Sequence, residues 1–448
     1  MTSPRIALTR RLLIRTALGG ATAAALTGKM PGLLADTGSA TTGDARRFLR
    51  GEALFRDVEA YAALGEHRTA TSADKRTGEW LAENLRRAGF KPEFLPFTTR
   101  QFFPETVRLE VGGRAVSAFP LWFSKPTGTA DLSAPLAMTE DSKDRIALVS
   151  FPFDHGASFG SRFENLRRVE AAIAAGAKGI IAVTEGPTGE LIALNVSPSQ
   201  TAIPIPVLLV GGREGEWLQK AAAQGAPTRL RLQAREEAAS AARGVVATYG
   251  SGPRRIVVST PQSGWFRCAG ERGPGIALFL ALARWAAARS TPGVTYEFLS
   301  NTGHEIGGTG MQNYLRTRAP KPGETAVWLH LGAGIATYDW EAAKGSEKPR
   351  RKDTPYPGRR LTASPDLIPL LTKTFETVSH LTPNPQPVGE LVLVLRAGYR
   401  AFGIAGDHPF HHTPADLPRT TSPALLEPVA LALAATLDQL GKGDPPAA

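Results

Sequence analysis

The stretch Thr295–Gly308, TYEFLSNTGHEIGG, carries the strongest fold signal in the chain. Its first half is an aromatic and apolar run typical of a buried strand, and its second half is a glycine-rich turn. The turn places His304 and Glu305 at the carboxyl end of the strand. A second segment, HTPAD at His412–Asp416, supplies another imidazole about a hundred residues later. A carboxylate and an imidazole at a strand end, joined by a histidine from a distant loop, are typical of a catalytic metal site in an α/β hydrolytic enzyme.

The segments around this stretch alternate between strand and helix signals. Val245–Tyr249, Ile256–Ser259 and Ala326–Leu329 have strand composition, and a long Ala/Leu helix is predicted at residues 275–288. Such alternation predicts an α/β fold with a mixed sheet flanked by helices, in which ligands bind beyond the carboxyl ends of the strands. Glu305 and His330 both fall at such ends.

Residues 130–233 form a second β/α pattern. Strand-like runs at Arg145–Ser150, Gly179–Val183 and Ile205–Val210 are separated by helical segments. The region has no cluster of acid and base residues, so we expect an inserted, smaller accessory domain that carries no catalytic group.

Residues 1–40 resemble an export signal and are set aside from fold reasoning. Arg10 and Arg11 precede a weakly apolar run, as in bacterial twin-arginine signals, so we expect an exported protein in the periplasm or outside the cell. After this segment no stretch is apolar enough to predict a stable membrane span. Cys268 is the only cysteine, which excludes an intrachain disulfide.

The composition is globular, and the 448 residues predict two domains. The formal net charge is +11, but residues 1–40 hold five Lys/Arg and one Asp, so their removal leaves +7. The cationic cluster at residues 348–352 lies in a Gly/Pro-rich loop and is not interleaved with aromatic residues. We therefore expect a solvated surface and no nucleic-acid partner.

The order of these segments resembles the zinc-dependent aminopeptidase family that includes bacterial leucyl aminopeptidases and glutamate carboxypeptidase. Leu64–Thr69 with Asp74 and Gly78 is similar to the family's opening segment, and His412–Asp416 to its last ligand motif. Ala174–Gly179, with Ile205–Val207, resembles its inserted protease-associated domain. The resemblance implies a three-layer zinc-exopeptidase-like domain at residues 45–125 and 235–440, a protease-associated insert at 130–233 and a disordered tail at 441–448.

The family's metal site uses a histidine, a bridging aspartate, a pair of glutamates, an aspartate and a final histidine. The resemblance places Glu271 at the bridging aspartate, His304 and Glu305 at the glutamate pair, His330 at the later aspartate and His412 at the last histidine. Thr260 and Gln262 stand where the first histidine and its neighbouring aspartate belong. Because threonine is not a credible zinc ligand, a single zinc ion is implied. Its expected ligands are Glu271, Glu305 and His412, with His330 as a further ligand or as an oxyanion stabiliser.

The same resemblance places His304 at the general-base position. An imidazole with an ordinary pKa of about 6.5 can accept a proton from a metal-bound water near neutral pH. Asp416 is expected to orient His412 or to cap its loop. Arg272 is expected beside Glu271, outside the ligand set. His408 and His411 are interpreted as loop residues, either of which could substitute as a ligand.

Three functions are consistent with this pattern. The first is an exported aminopeptidase-like metallohydrolase that cleaves peptides or small amides. The second is a peptidase-fold protein with an impaired site that binds a peptide or an envelope ligand. It is favoured by Thr260, by Gln262 and by an Arg272 that could neutralise Glu271 in an ion pair. His304 and His330 could likewise bond each other or a carboxylate in a metal-free cleft. The third, a cyclase acting on N-terminal residues, follows from one-metal relatives. The sequence does not specify the oligomeric state.

Overall fold

The computed structural model describes residues 45–160, 163–200, 202–342 and 348–443. The predicted export signal at residues 1–40 and most of the predicted tail at 441–448 lie outside the described residues. Export and localisation therefore stay predictions.

The strands lie along the whole described chain. In chain order they are β1 Lys91–Val111, β2 Arg114–Ala115, β3 Phe119–Pro120, β4 Leu132–Met138, β5 Ile146–Phe151, β6 Gly179–Thr184, β7 Val207–Gly211, β8 Pro227–Tyr249, β9 Arg254–Pro261, β10 Val294–Asn301, β11 Thr325–Leu331, β12 Tyr338–Glu341, β13 Arg350–Pro355, β14 Arg360–Ala363, β15 Pro383–Asn384 and β16 Ala401–Ala405.

The α-helices alternate with these strands. They are α1 Gly51–Ala63, α2 Ser72–Arg87, α3 Phe163–Ala174, α4 Gly215–Ala223, α5 Gly273–Arg289, α6 Thr309–Thr317, α7 Ile368–Thr374, α8 Leu391–Arg396 and α9 Pro423–Lys442. Short 3-10 helices occur at Arg46–Leu49, Thr139–Asp141, Gly212–Glu214, Pro322–Glu324, Pro365–Leu367 and Pro418–Thr420.

The sheet is mixed. Strands β16, β11, β9 and β10 are neighbours and parallel, and β8 pairs antiparallel with β10. On the other side of β8 the sheet continues through β4 to the parallel strands β5, β6 and β7. The parallel strands β9, β10 and β11 all end at the same edge, which is where a ligand site is expected.

A long ribbon links the two halves of the sheet. Strand β1 pairs with β8 over almost its full length, with register shifts between Thr99 and Gln101 and between Pro104 and Thr106. Strand β8 runs across residues 233–235, where the sequence places the end of the inserted domain. The backbone at residues 233–235 is thus part of one continuous strand. The domain boundaries stay a prediction.

The two faces of the central sheet bury different side chains. Because successive strand residues point to opposite faces, neighbouring residues of β9 should enter different apolar clusters. They do so: Ile256 and Val258 belong to one cluster and Val257 to another. Helices α1, α5 and α9 pack in the first cluster, and α6 and α8 in the second. Helices on both faces of one sheet make three layers, which confirms the predicted fold class.

Helix α9 is the one described helix long and apolar enough to cross a membrane by length and composition, so the expectation that no stretch after the signal meets this criterion was wrong. More than half of its most apolar window is buried against the rest of the protein, and Leu426, Leu433 and Leu437 lie in the core. These contacts are those of a core helix.

Replacing Phe298 by alanine is expected to lower the free energy of unfolding by about 3–5 kcal/mol. Phe298 in β10 is fully buried and makes edge-to-face contacts with Phe90 and Phe279. Denaturant unfolding of the purified variant measures the loss. Phe163→Ala is the matched control, because Phe163 is 77% exposed, and it should shift stability by less than about 0.5 kcal/mol. Equal losses for both variants would contradict the core assignment.

Candidate active site

The turn after β10 holds two of the predicted site residues. Gly303 has φ +92°, and a Cβ there would overlap the Thr309 hydroxyl, so the turn requires glycine. Ser263 fixes the turn: its hydroxyl accepts from the N–H groups of Gly303 (3.1 Å) and His304 (3.3 Å) and donates to Glu305 Oε2 (2.6 Å). Ser263 was not identified from the sequence, although its place just beyond the end of β9 could have indicated it.

The loop before α5 positions Glu271 and Arg272. The Asp416 carboxylate accepts from the backbone N–H groups of Gly270 (2.8 Å) and Glu271 (2.9 Å) and from the Thr420 hydroxyl (2.9 Å). Asp416 therefore anchors this loop. Of its two predicted roles, the structure shows loop capping and no bond to the His412 ring.

A buried guanidinium lies between two carboxylates. Arg272 Nη2 is 3.0 Å from Glu271 Oε1 and 2.9 Å from Glu305 Oε1, and all three side chains are buried. Arg272 Nε donates to the backbone oxygen of Ser263 at 2.9 Å. Burial by itself raises the pKa of Glu271, but Arg272, His412 and His411 outweigh it and hold that pKa well below its usual range. Glu271 is therefore ionised, and the ion pair with Arg272 that the sequence left open is present.

His412 faces the same carboxylate. Its Nε2 lies 3.3 Å from Glu271 Oε1, and its Nδ1 lies 3.0 Å from the backbone oxygen of Ala193. A carbonyl only accepts, so Nδ1 carries a proton and donates it to Ala193, while Nε2 faces Glu271. A proton on Nε2, or a cation between Nε2 and the carboxylate, would make this contact favourable. His412 also has φ +58°, which is uncommon for a residue other than glycine and is typical of functional positions.

One group among the described residues has the geometry to hold a metal ion. Donor atoms of Glu271, His411 and His412 all lie within 4.8 Å of one another. Glu271 Oε2, His411 Nδ1 and His412 Nε2 are buried without a hydrogen-bond partner, while Glu271 Oε1 faces Arg272 Nη2 and His412 Nε2. Burial lowers the pKa of His411 well below its ordinary value, and the neighbouring His412 lowers it further, so the ring is neutral, as a metal ligand must be. This donor set fits zinc.

Two predicted ligands lie outside this group. Both Glu305 oxygens are engaged, one by Arg272 and one by Ser263. His330 lies at the end of β11 and contacts Ser259. The structure brings Glu271, Glu305 and His412 together around Arg272, but it does not bring His330 to Glu271.

A cavity of about 590 Å³ opens beside these residues. His304 lines it and is hydrogen-bonded through Nδ1 to Glu390 Oε1 at 3.0 Å, while Asn301 donates to Glu390 Oε2 at 3.0 Å. Burial raises the pKa of Glu390, but the His304 bond and charge outweigh it and bring the pKa to about 2. Glu390 is 86 residues from His304 in the sequence, and no motif marks it.

His330 lines the same cavity, and the contact of its Nδ1 indicates which ring nitrogen carries the proton. The Ser259 hydroxyl accepts from Trp328 Nε1 at 2.7 Å, so its own hydrogen is free to point to His330 Nδ1 at 2.9 Å. The proton of His330 then lies on Nε2, which is buried without a partner. Burial lowers the pKa of His330 to about 4, so the ring is a neutral hydrogen-bond donor at neutral pH.

Thr260 and Gln262, which stand at the family's first ligand positions, bond elsewhere. The Thr260 hydroxyl donates to the Leu331 backbone oxygen at 2.9 Å, and Gln262 Nε2 donates to Asp74 Oδ1 at 2.9 Å. Gln262 Oε1 also accepts from the Ser300 hydroxyl at 3.1 Å, so both side chains are held by bonds within the protein.

The layered architecture is a zinc-exopeptidase-like fold, as the sequence predicted, and solved structures confirm this likeness. No protein-family model matches the sequence, and no curated protein matches it. Solved structures do. A zinc aminopeptidase from Bacillus subtilis is similar with a TM-score of 0.67 at 19% identity, covering 87% of this chain and 94% of that one. A peptidase precursor from Shewanella amazonensis has a TM-score of 0.71 at 15% identity, covering 89% and 96%. An aminopeptidase from an Aneurinibacillus species has a TM-score of 0.58 at 14% identity, covering 89% and 96%.

Replacing Glu390 by glutamine is expected to cost stability in a pH-dependent way. The folded pKa of about 2 lies below the ordinary value of about 4.3, so the carboxylate contributes stability that is fully present above pH 4.3 and lost as the pH falls through 2. The difference in free energy of unfolding between wild type and Glu390→Gln should therefore shrink from pH 6 to pH 2.5. Urea unfolding at a series of pH values measures it, and a pH-independent difference would argue against an ionised Glu390.

Proposed function

We propose that this chain is an aminopeptidase-like metallohydrolase that binds one zinc ion and hydrolyses peptide amide bonds, acting outside the cytoplasm after export. The likeness to zinc aminopeptidases supports a peptidase function. The observation that carries the proposal is the cavity, whose wall includes the carboxylate-bound His304, the donor His330 and His411, which is one member of the metal-capable group.

His304 has the contacts of a general base. An ionised carboxylate only accepts, so Glu390 holds the His304 proton on Nδ1 and fixes the ring orientation. In the neutral ring His304 Nε2 is then the basic nitrogen, and the ring lies on the wall of the cavity. A carboxylate behind a histidine plays the same part in hydrolases that use a Ser-His-Asp arrangement. Here the proton would come from the attacking water.

His330 has the contacts of an oxyanion stabiliser. Its Nε2–H is an unpartnered donor on the cavity wall, and a neutral ring is held ready without reorganisation. A carbonyl oxygen that gains negative charge would accept from this N–H. Of the two roles predicted for His330, the geometry supports this one.

The zinc ion would be held by Glu271, His411 and His412. His412 donates its other ring N–H to the Ala193 carbonyl, a contact that orients metal-binding histidines. When bound, zinc acidifies a water molecule and polarises a carbonyl. Glu305 is better described as the partner of Arg272 than as a zinc ligand. His411 would take the ligand position that the sequence analysis gave to Glu305.

A non-catalytic binding protein is the second candidate, and the Arg272 ion pairs favour it. If His412 is protonated, two carboxylates are balanced by one guanidinium and one imidazolium, and the cluster is neutral without a metal. The cavity would then bind a peptide or envelope ligand without cleaving it. Zinc content and hydrolysis distinguish the two functions.

Replacing His412 by alanine is expected to reduce zinc in the purified mature protein from roughly one ion per chain to near zero. The loss follows from removing one of two imidazole ligands. Metal analysis after dialysis measures it, with His380→Ala as control, because His380 is exposed and outside the cavity. A wild-type protein that holds no zinc and cleaves no aminoacyl anilide would favour the binding protein.

Replacing His304 by alanine is expected to lower kcat for aminoacyl anilide hydrolysis by about 10²–10⁴-fold with little change in zinc content, because a general base contributes that much. Steady-state kinetics on both proteins provide the test, again beside His380→Ala. An unchanged kcat would exclude His304 as the base.

A further inference from the structure

Arg272 is a buried cation shared by two segments that are distant in sequence. Its side chain has no solvent exposure, and a single atom, Nη2, contacts Oε1 of both Glu271 and Glu305. The guanidinium is anchored by Nε to the Ser263 backbone oxygen, while Nη1 has no hydrogen-bond partner among the described residues.

The two carboxylates need a cation between them. Each lies within 3.0 Å of the same nitrogen atom, so without Arg272 two buried negative charges would face each other. Like charges that share a buried site repel strongly, and isolated buried charges are costly. Arginine stays charged at all ordinary pH values, so this compensation is permanent.

A divalent cation could occupy the same position. Carboxylate oxygens are zinc ligands, and Glu271 Oε2 already lacks a hydrogen-bond partner. Removal of the guanidinium would also free Glu271 Oε1 and Glu305 Oε1. Carboxylate oxygens from two segments of the chain would then face the space that Arg272 now fills. His412 Nε2 is left out of this donor set, because its one lone pair serves the proposed zinc at Glu271, His411 and His412.

We infer that the Arg272 guanidinium occupies a latent zinc position between Glu271 and Glu305 and substitutes there for the metal ion. The native chain therefore binds no ion between these two carboxylates, and the guanidinium holds the start of α5 to the turn after β10. This position shares only Glu271 with the proposed zinc at Glu271, His411 and His412, and the inference does not require hydrolytic activity.

The test is the zinc content of Arg272→Ala in the mature chain. We expect one zinc ion per chain more than in wild type after equilibration with zinc and dialysis. Zinc at a hundred-fold excess over its Kd should raise the Tm of the variant by roughly 3–5 °C more than that of wild type. Arg272→Lys keeps a cation and should gain no zinc. Arg272→Ala combined with Glu305→Gln lacks one carboxylate and should lose the gain.

An Arg272→Ala chain that folds and binds no more zinc than wild type would overturn the inference. An Arg272→Ala chain that folds neither in zinc nor in chelator would also overturn the inference, since zinc would then not replace the guanidinium. A chain that folds in zinc but not in chelator would support it. The outcome is separable from the proposed function. No zinc in wild type and one in Arg272→Ala would uphold the inference and remove the one-zinc hydrolase. One zinc ion in both wild type and Arg272→Ala would overturn the inference and leave the one-zinc hydrolase standing.

Discussion

The contact of one guanidinium with two buried carboxylates ties the loop before α5 to the turn after β10. Glu271 and Arg272 lie at the start of α5, and Glu305 lies in the turn after β10. Breaking a buried ion pair by removing one partner costs about 3–5 kcal/mol, which is a large part of the stability of an ordinary domain. The positions of His304 and His412 depend on these two segments. The guanidinium therefore helps to hold the turn that carries His304 on the cavity wall, and the charges of Glu271, Arg272 and Glu305 together sum to −1.

Residues 191–196 close the site from the side of the predicted insert. Ala193 exchanges two hydrogen bonds with His412, accepting from its Nδ1 (3.0 Å) and donating to its backbone oxygen (2.9 Å). Val196 N donates to the Glu305 backbone oxygen (3.1 Å), and Asn195 accepts from Trp265 Nε1 (2.9 Å). The lack of acid and base residues in this region led to the expectation that it carries no catalytic group. Its contribution is made largely by backbone atoms, which composition does not reveal.

The sequence predicts the fold better than the site, for a physical reason. Buried strands such as Thr295–Leu299 and Ile256–Ser259 and the long helix α5 are encoded locally, by apolar runs and their periodicity. The convergence of Glu271, Glu305 and His412 also follows from strand ends and a family resemblance. The atoms that these three side chains contact do not follow from either. Glu390 illustrates the limit, because it precedes a short apolar helix and nothing nearby in the sequence connects it with His304. Likewise, Arg272 could be paired with its neighbour Glu271 from the sequence, but its bond to Glu305 depends on the packing of α5 against the turn.

The different roles of the histidines follow from the partners of their Nδ1 atoms. His304 faces a carboxylate and His412 a carbonyl, and because both only accept, each ring carries a proton on Nδ1, so Nε2 is the nitrogen at which a second proton is gained or lost. His330 faces the Ser259 hydroxyl, which accepts from Trp328 and has its own hydrogen free to donate to Nδ1, an arrangement that places the His330 proton on Nε2. Amide hydrolysis needs a proton acceptor for water and a donor for the carbonyl oxygen. Under the proposed function, His304 Nε2 would be the acceptor and His330 Nε2–H the donor.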